Sequence, residues 1–427
     1  MSTRGGTLQA PDNVQADGPR LAPARLPLVV YVLALGTFLM GTTEFVVAGL
    51  LPEIAGDLQV SVAQSGLLIT VFAVGMIVGA PLMAMLTLRL PTRLTLMLAL
   101  GAFALGHVIV AVGSSFTLLL AARFLTAIAT GAFWAVANVA ATRAAGPAAS
   151  ARALGLVGAG AMLANVVGVP LGAFAGQLMG WRGPFWVLAA LAAAAIPLIA
   201  RTVPHDGPAQ HTGSVRSELT ALRLGRLWLV LAACATTTGG VLAAYSYIAP
   251  LLTGRAGLAA GLVPLVLAGF GLGALAGSLV GGRLGDRRPH TVTIVAAAGA
   301  TLLLLAIVLL AGSAPAVIAL ISLLGFFGLG ANPVLMALAV RYAGQAPTLA
   351  SALTVSAFNL GTAIGSWIAG LALESTGTTG PTEVGTAIAA LTLIPTIALA
   401  LALRRDHRAG SSRQVARSAA PVHADQA

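Results

Sequence analysis

The sequence predicts an all-α integral membrane protein whose twelve transmembrane helices form two pseudo-symmetric bundles of six. Hydrophobic residues make up 58% of the 427 residues and charged residues only 8%, with a mean hydropathy of +0.95. A soluble protein carries about 25% charged residues. Long apolar runs recur along the chain, and the longest polar break, 201–225, divides them six and six.

Each apolar run is predicted to be a membrane-spanning helix. Only helices and closed barrels satisfy the backbone in lipid, and these runs are too long and too uniformly apolar for barrel strands. As helices they reach across a hydrocarbon core of about 30 Å. The predicted spans are 27–51, 62–86, 94–113, 116–142, 153–179, 183–200, 226–252, 258–282, 291–311, 315–341, 349–373 and 382–403.

The pattern of apolar runs and polar breaks divides the chain into five segments, which are two tails, two bundles and a linker. The first 26 residues are polar, lack the order of a cleaved signal peptide and are expected to be disordered. The end of the central linker, 214–227, is amphipathic and is expected to lie as a helix on the inner membrane surface. The segments are a tail at 1–26, a six-helix bundle at 27–200, a linker at 201–225, a second bundle at 226–403 and a basic tail at 404–427.

Arginine placement predicts the orientation. All 23 basic residues are arginine. Twenty fall on the side of the two termini, Arg182 and Arg255 fall on the other side, and Arg123 lies inside the fourth span. Positive charge stays inside, so both termini are expected in the cytoplasm. Scattered loops form no folded basic face, so no nucleic-acid partner is expected.

Missing residue types exclude several functions. Without lysine the chain has no Walker A loop for ATP and no Schiff-base chemistry. The single Cys234 excludes a disulfide framework, and none of the six histidines forms a pair at metal-ligand spacing. No catalytic constellation and no repeated pore loop is visible. We therefore expect neither an enzyme nor a channel, and no cofactor or metal.

Glu44, in the stretch Gly41-Thr42-Thr43-Glu44-Phe45, is the carboxylate placed well inside an apolar run. An ionisable group in the membrane is expensive, which makes Glu44 a candidate functional residue. The alternative is a structural hydrogen bond to a neighbouring helix.

A weak internal repeat relates the two halves. Glycines recur at every fourth position in the fifth span, at 168, 172 and 176, and in the eleventh, at 361 and 365. Gly131-Ala132 precedes Arg143 in the fourth span as Gly330-Ala331 precedes Arg341 in the tenth. Small residues at this spacing let helices approach closely. Two six-helix repeats around a midplane site are typical of transporters.

The loop after the eighth span, Gly282-Arg283-Leu284-Gly285-Asp286-Arg287-Arg288-Pro289, resembles the signature loop of the major facilitator superfamily. The resemblance implies a gate on the cytoplasmic side made by Asp286 and Arg287, with Arg89 in the matching loop of the first half. That loop has Leu88 where the family has Asp. The alternative for Asp286 is an ordinary charge at a helix end.

Two further stretches resemble the twelve-span drug:proton antiporters of that superfamily, a group that includes chloramphenicol exporters and sugar-efflux permeases. The fourth span, Ala122-Arg123-Phe124-Leu125-Thr126, resembles their arginine motif. The fifth, from Ala164 to Gly172, resembles their antiporter motif, with Val169 interposed between Gly168 and Pro170. The corresponding antiporter-motif residues are Asn165, Gly168, Pro170 and Gly172.

Glu44 and Arg123 are the predicted proton-coupling pair. Each lies seven residues from the outer end of its span, or roughly 10 Å deep. The resemblance places spans one and four beside one central cavity. Making or breaking the pair would then switch the protonation of Glu44. The alternative is a static ion pair.

Five polar or aromatic residues inside the spans are candidates to line a cavity for a partly polar, aromatic substrate. Helix–helix hydrogen bonding is the alternative for each. His107 in the third span is expected to be structural, because its position in the family lies off the cavity. The candidates are Trp134, Asn138, Tyr245, Asn332 and Asn359.

The resemblance implies a monomeric carrier in the bacterial cytoplasmic membrane that exports a small drug-like molecule in exchange for protons. Chloramphenicol-like compounds are the first expected substrates. The alternative is a proton-coupled efflux permease for a sugar or another small metabolite.

Overall fold

The computed structural model describes residues 26–86, 90–146, 149–203, 224–343 and 347–402, and within these ranges it contains helices and no strand. Within these described ranges, twelve helices are long and apolar enough to cross a membrane. They are α1 Leu28–Gly49, α2 Val62–Met83, α3 Thr92–Val112, α4 Phe116–Ala145, α5 Arg152–Met179, α6 Gly183–Thr202, α7 Gly225–Ser246, α8 Ala260–Gly285, α9 Pro289–Leu309, α10 Ala314–Ala343, α11 Leu349–Thr376 and α12 Gly380–Ala402.

The predicted spans agree with these helices to within three residues at every bound except one. The seventh span was predicted to run to residue 252, whereas α7 ends at Ser246. The backbone of Tyr247 leaves the helical region, with φ −115° and ψ 29°. The chain continues as a single turn, Ile248–Pro250, and a π-helical turn, Leu251–Arg255. The predicted linker helix and both tails lie largely outside the described residues.

The helices alternate in direction, so the bundle has two faces. We call the face where α1 begins and α12 ends the terminal face, and the other the opposite face. A short helix, Leu51–Leu58, connects α1 to α2 at the opposite face.

Glycines place equivalent helices of the two halves in direct backbone contact. In the first half, Gly131 of α4 lies against the backbone of Ala80 in α2. In the second half, Gly330 of α10 lies against the backbone of Gly277 in α8. A Cβ atom at Gly131 would come within 2.9 Å of the Ala80 nitrogen. The internal repeat therefore has a structural counterpart in helix pairing.

The fifth and eleventh helices repeat the same arrangement. Gly168 of α5 packs on Thr42 of α1, where an added Cβ would lie 2.0 Å from the hydroxyl oxygen. Gly361 of α11 packs on α7, where an added Cβ would lie 1.9 Å from the carbonyl oxygen of Ala235. Small-residue spacing thus lets α5 approach α1 and α11 approach α7, as expected.

Hydrogen bonds join the two halves along a seam between α2 and α11, to which Tyr247 at the end of α7 also contributes. They run from the opposite face to Ile77, which follows Val62 by 15 residues, or roughly 22 Å. The bonds described across the seam are Ser61 Oγ to Glu374 Oε1 at 2.8 Å, Thr70 Oγ1 with Ser366 Oγ at 2.9 Å, Tyr247 Oη to Ala63 O at 3.4 Å and Ser356 Oγ to Ile77 O at 3.3 Å.

Candidate functional site

A narrow cavity lies between the two halves and contains Glu44. Tyr245 of α7 and Asn359 of α11 line it together with Glu44 and Phe72 of the first half. The space in which the centre of a water molecule can sit is about 10 Å³, which is about what one water needs. The structure thus brings the predicted coupling carboxylate and two of the predicted cavity residues to one place.

Glu44 lies where α1 changes its geometry. The α-helical part of α1 ends at Val46, and a 3-10 turn, Val47–Gly49, follows. Glu44 is half-buried, whereas the neighbouring Thr43 is fully buried. The carboxylate therefore faces the cavity while the hydroxyl of Thr43 faces the interior of the first half.

Arg123 on α4 is buried, with 1% of its surface exposed. Its Nη1 donates to the backbone oxygen of Thr43 at 3.0 Å and to the Thr43 hydroxyl at 2.9 Å. Its Nε donates to Leu68 O at 3.3 Å. Its Cζ lies 4.2 Å from the centre of the Phe72 ring, a cation–π distance. The buried Nη2 has no hydrogen-bond partner among the described residues.

Glu44 and Arg123 do not form an ion pair in this structure. Among the described residues, the ion pair present is Arg182 with Asp57. The charges of Glu44 and Arg123 still act on each other electrostatically. Phe72 lies between Arg123 and the Glu44 cavity, because its ring contacts the guanidinium and also lines the cavity. The alternative of a static ion pair therefore does not describe this state.

His107 is hydrogen-bonded to Thr43, which in turn binds Arg123, and the sequence did not predict this connection. The ring lies off the Glu44 cavity, as expected, but its Nε2 is 2.8 Å from the Thr43 hydroxyl. Its Nδ1 is 2.7 Å from the carbonyl oxygen of Phe103. A histidine in an apolar span and a threonine directly before Glu44 were the available signals. Which helices face each other could not be read from them.

The other predicted cavity residues do not line the Glu44 cavity. Trp134 is half-buried and Asn138 is exposed on α4, and Asn332 is half-buried where α10 is interrupted at Ala331. Trp134 and Asn332 each follow the first residue of their helix by 18 positions. Three of the five candidates have a buried polar atom without a partner among the described residues, namely Trp134 Nε1, Asn332 Oδ1 and Asn359 Oδ1.

The segment that resembles the antiporter motif forms a π-helical turn, Ala164–Gly168, which ends two residues before Pro170. Proline removes an intrahelical hydrogen bond, which favours such local irregularity. The carbonyl oxygen of Asn165 faces α8, where an added Cβ at Gly271 would lie 2.3 Å away. Gly172 lies against Val46 of α1. This segment therefore links both halves to the helix that carries Glu44.

The predicted gate residues lie at the terminal face. Asp286 is exposed at the end of α8 and lines a recess of about 410 Å³ with Arg341. Arg287 is also exposed and lines a separate groove with Arg288 between α8, α9 and α10. Arg89 and Leu88 lie outside the described residues.

The Arg182–Asp57 pair ties three connections of the first half together at the opposite face. Arg182 precedes α6, Asp57 lies in the short helix after α1, and Arg182 Nη2 also donates to Gly113 O at 3.0 Å. The hydrogen bond from the Arg182 guanidinium holds the pKa of the Asp57 carboxyl below its usual range.

Twelve membrane helices in two matching sets of six, with a carboxylate-bearing cavity between the sets, define a multi-pass membrane transporter. A family model described as the Major Facilitator Superfamily matches residues 33–346 and 244–426. The chain belongs to this family. Its fold and relatives are those of transporters, not of enzymes.

Relatives and solved structures agree with this assignment. The Chloramphenicol resistance protein of Streptomyces lividans is 36% identical over 375 residues, covering 86% of this chain and 95% of the relative. The Inner membrane transport protein YdhP of Escherichia coli (strain K12) is 32% identical over 349 residues, covering 80% and 88%. A bacterial homologue of the human lysosomal transporter Spinster, in an inward-facing and occupied conformation, superposes with a TM-score of 0.70 at 18% identity, covering 88% of this chain and 96% of that one. This last likeness concerns the fold alone.

Proposed function

We propose that this chain exports a small, neutral, drug-like molecule across the cytoplasmic membrane in exchange for protons, by alternating access of the two halves. Chloramphenicol-like compounds are the first substrates to test. The observation that carries the proposal is the cavity between the halves, which contains Glu44 beside residues of α7 and α11. The protonation of a titratable group placed there depends both on its access to protons and on the position of one half relative to the other.

The separation of Glu44 from Arg123 supports the proton step. If the guanidinium approaches the carboxylate in the alternate conformation, it favours the charged form of Glu44. If it stays bound to Thr43 and Leu68, as here, Glu44 has no ion-pair partner. Proton binding and conformation are thereby linked through a single buried arginine.

The unpaired polar atoms on α4, α10 and α11 support the substrate class. Trp134 Nε1 is a hydrogen-bond donor, whereas Asn332 Oδ1 and Asn359 Oδ1 are acceptors. Asn359 lines the Glu44 cavity, whereas Trp134 and Asn332 lie outside it. The Asn359 acceptor can bind a hydroxyl or amide N–H of a neutral substrate. The resistance-protein relative favours chloramphenicol as the first compound to test. A sugar remains the alternative cargo.

In this proposal the terminal face is cytoplasmic, as the arginine distribution predicts. The hydrogen-bonded seam between α2 and α11 then closes the outer side of the carrier. Asp286 and Arg287 are the proposed cytoplasmic gate residues, and the pocket that Asp286 shares with Arg341 supports a role in movement at this face. The carrier needs no cofactor, because the proton gradient drives it.

The test replaces Glu44 with Gln, which keeps size and hydrogen bonding but cannot titrate. Uptake of labelled chloramphenicol into inverted vesicles is measured under a pH gradient, and counterflow is measured without one. We expect Glu44→Gln to lose gradient-driven accumulation and to retain counterflow. Glu53→Gln is the matched control and is expected to behave as the wild type, because Glu53 is an exposed residue of the connecting helix.

Wild-type gradient-driven accumulation by Glu44→Gln would show that the proton uses another group. If chloramphenicol gives neither uptake nor counterflow in the wild type, the drug assignment is wrong. A panel of labelled sugars then tests the alternative cargo in the same vesicles.

A further inference from the structure

The imidazole of His107 is enclosed in the first half, with 1% of its surface exposed. Its ring centre lies 4.0 Å from that of Phe103 and 5.9 Å from that of Phe185. Buried polar side-chain atoms are in the large majority of cases hydrogen-bonded. Both ring nitrogens of His107 are, Nδ1 with Phe103 O and Nε2 with the Thr43 hydroxyl.

The hydrogen-bond partners determine the position of each proton. The carbonyl oxygen of Phe103 can only accept, so Nδ1 carries a proton and donates it. The Thr43 hydroxyl oxygen already accepts from Arg123 Nη1 at 2.9 Å. Its own proton then points to Nε2 of His107, at 2.8 Å, which accepts it. The ring is therefore neutral and in the Nδ1–H tautomer.

A charged imidazole does not fit this arrangement. With protons on both nitrogens, His107 would donate to the Thr43 oxygen, which already accepts from Arg123. The hydroxyl proton would lose its acceptor, and a second cation would stand beside the buried guanidinium. Such a cation pair in a low-dielectric interior is strongly unfavourable. His107 thus acts as an acceptor and not as a carrier of the transported proton.

The same contacts fix the plane of Arg123. The guanidinium is rigid and planar, so holding Nη1 at Thr43 and Nε at Leu68 O also sets the direction of Nη2. Nη2 is buried and has no partner among the described residues. Its N–H groups are the donors that Arg123 has left for another group.

We propose that His107 is a positioning residue for Arg123. It orients the Thr43 hydroxyl so that a lone pair faces Nη1, which leaves Nη2 free for Glu44 in the alternate conformation. The proposal rests on the proposed proton-coupling role of Glu44 and Arg123. It extends the coupling site from two residues to four.

Two pairs of variants separate this role from simple packing. The amide of glutamine reaches the position of the histidine Nε2, so His107→Gln keeps an acceptor for Thr43. The amide of asparagine reaches only the position of Nδ1, so His107→Asn keeps the Phe103 contact and loses Thr43. Thr43→Ser keeps the hydroxyl, whereas Thr43→Val removes it at nearly the same shape.

The first readout is the ratio of gradient-driven uptake to counterflow in vesicles. We expect His107→Asn and Thr43→Val to lower this ratio by at least about tenfold. Both changes disrupt the hydrogen bond between the Thr43 hydroxyl and the charged Arg123, and the loss of a hydrogen bond to a charged group has about this effect. His107→Gln and Thr43→Ser are expected to stay close to the wild type. If both variants at His107, or both variants at Thr43, lower this ratio equally, packing alone determines the effect and the proposal is overturned.

The second readout does not depend on transport. A chain with the other five histidines replaced by glutamine and with nitrogen-15 in the remaining ring reports the tautomer of His107 by NMR. We expect a neutral Nδ1–H ring throughout the pH range in which the protein is folded. An imidazolium or an Nε2–H ring would overturn the proposal even if Glu44 proves to be the proton carrier. If Glu44→Gln transports normally, the coupling assignment fails, while this spectrum still decides the hydrogen-bond network.

Discussion

The two halves share their helix geometry and differ in what they bury. Helices α1 and α7 have 22 residues each, α3 and α9 have 21, and α4 and α10 have 30. Glu44 lies 16 residues into α1, His107 lies 15 into α3 and Arg123 lies 7 into α4. The residues at the same positions of the second half, all aliphatic and all 0% exposed, are Val241, Leu304 and Ile321.

The second half thus fills the place of the polar network with a hydrophobic core. Val241, Leu304 and Ile321 belong to one apolar cluster. Among the described residues of this half, the buried polar side chains outside the aromatic ones are Thr, Ser and Asn. The repeat preserves the packing of helices, whereas among the described residues the buried arginine and histidine, Arg123 and His107, both lie in the first half. The first half therefore holds the candidate proton site, and Tyr245 and Asn359 of the second half line the cavity beside it.

The largest effect on stability is expected for Ile321→Arg, which places an arginine in the second half at the position that Arg123 occupies in the first. The guanidinium would be buried among aliphatic side chains, with none of the acceptors that Thr43 and Leu68 provide to Arg123. An uncompensated buried charge costs about 3–5 kcal/mol of folding stability. The measurement is the yield and melting temperature of purified protein. Ile321→Met is the control, and equal stability of the two variants would contradict the comparison.

The reverse change, Arg123→Ile, places in the first half the residue type that the second half has at the matching position, Ile321. We expect transport to fall to background, because the group that we propose links Glu44 to conformation is gone. Stability is expected to stay the same or to rise, since replacing a buried charge with an apolar side chain is often neutral or favourable. Vesicle uptake and thermal unfolding test this together. An inactive protein that is also much less stable would mean that Arg123 serves mainly to hold the fold.

The smallest effect is expected at the exposed ion pair of the first half, in Asp57→Asn. Because Arg182 lowers the pKa of Asp57 in the folded protein, the pair stabilises the fold above the unfolded pKa of about 4. That contribution is lost as the pH falls through the folded-state pKa. Exposed ion pairs contribute at most about 1 kcal/mol.

Melting temperatures as a function of pH test this pair. We expect Asp57→Asn to melt slightly below the wild type at neutral pH and to converge with it in acid. In an Arg182→Gln background, the Asp57→Asn change is expected to have no further effect. A difference that grows in acid would reverse the sign and exclude the ion pair as its cause.

The fold could be predicted from the sequence because apolar length alone defines a membrane span. The one clear error, the end of α7, arises from a distant contact. Tyr247 leaves the helix where its hydroxyl reaches Ser366 O at 3.2 Å and Ala63 O at 3.4 Å. A hydropathy pattern contains no information on such partners.

The candidate site could be predicted only in part, for the same reason. Glu44 stands out because a carboxylate in lipid is rare, and the structure places Tyr245 and Asn359 in its cavity. Thr43 and His107 are ordinary residues until α1, α3 and α4 are packed together. The arrangement of a hydrogen-bond network depends on helix rotation, which a single sequence does not specify.

The seam between α2 and α11 has a consequence for the response to salt. Its described hydrogen bonds join hydroxyl groups to backbone oxygens, to another hydroxyl or to the carboxylate of Glu374, and none is an ion pair. Ionic strength screens the attraction between opposite charges but leaves hydrogen bonds of this kind almost unchanged. Opening the described bonds of this seam separates no pair of opposite charges, so the energy of opening them is nearly independent of the salt concentration at the opposite face.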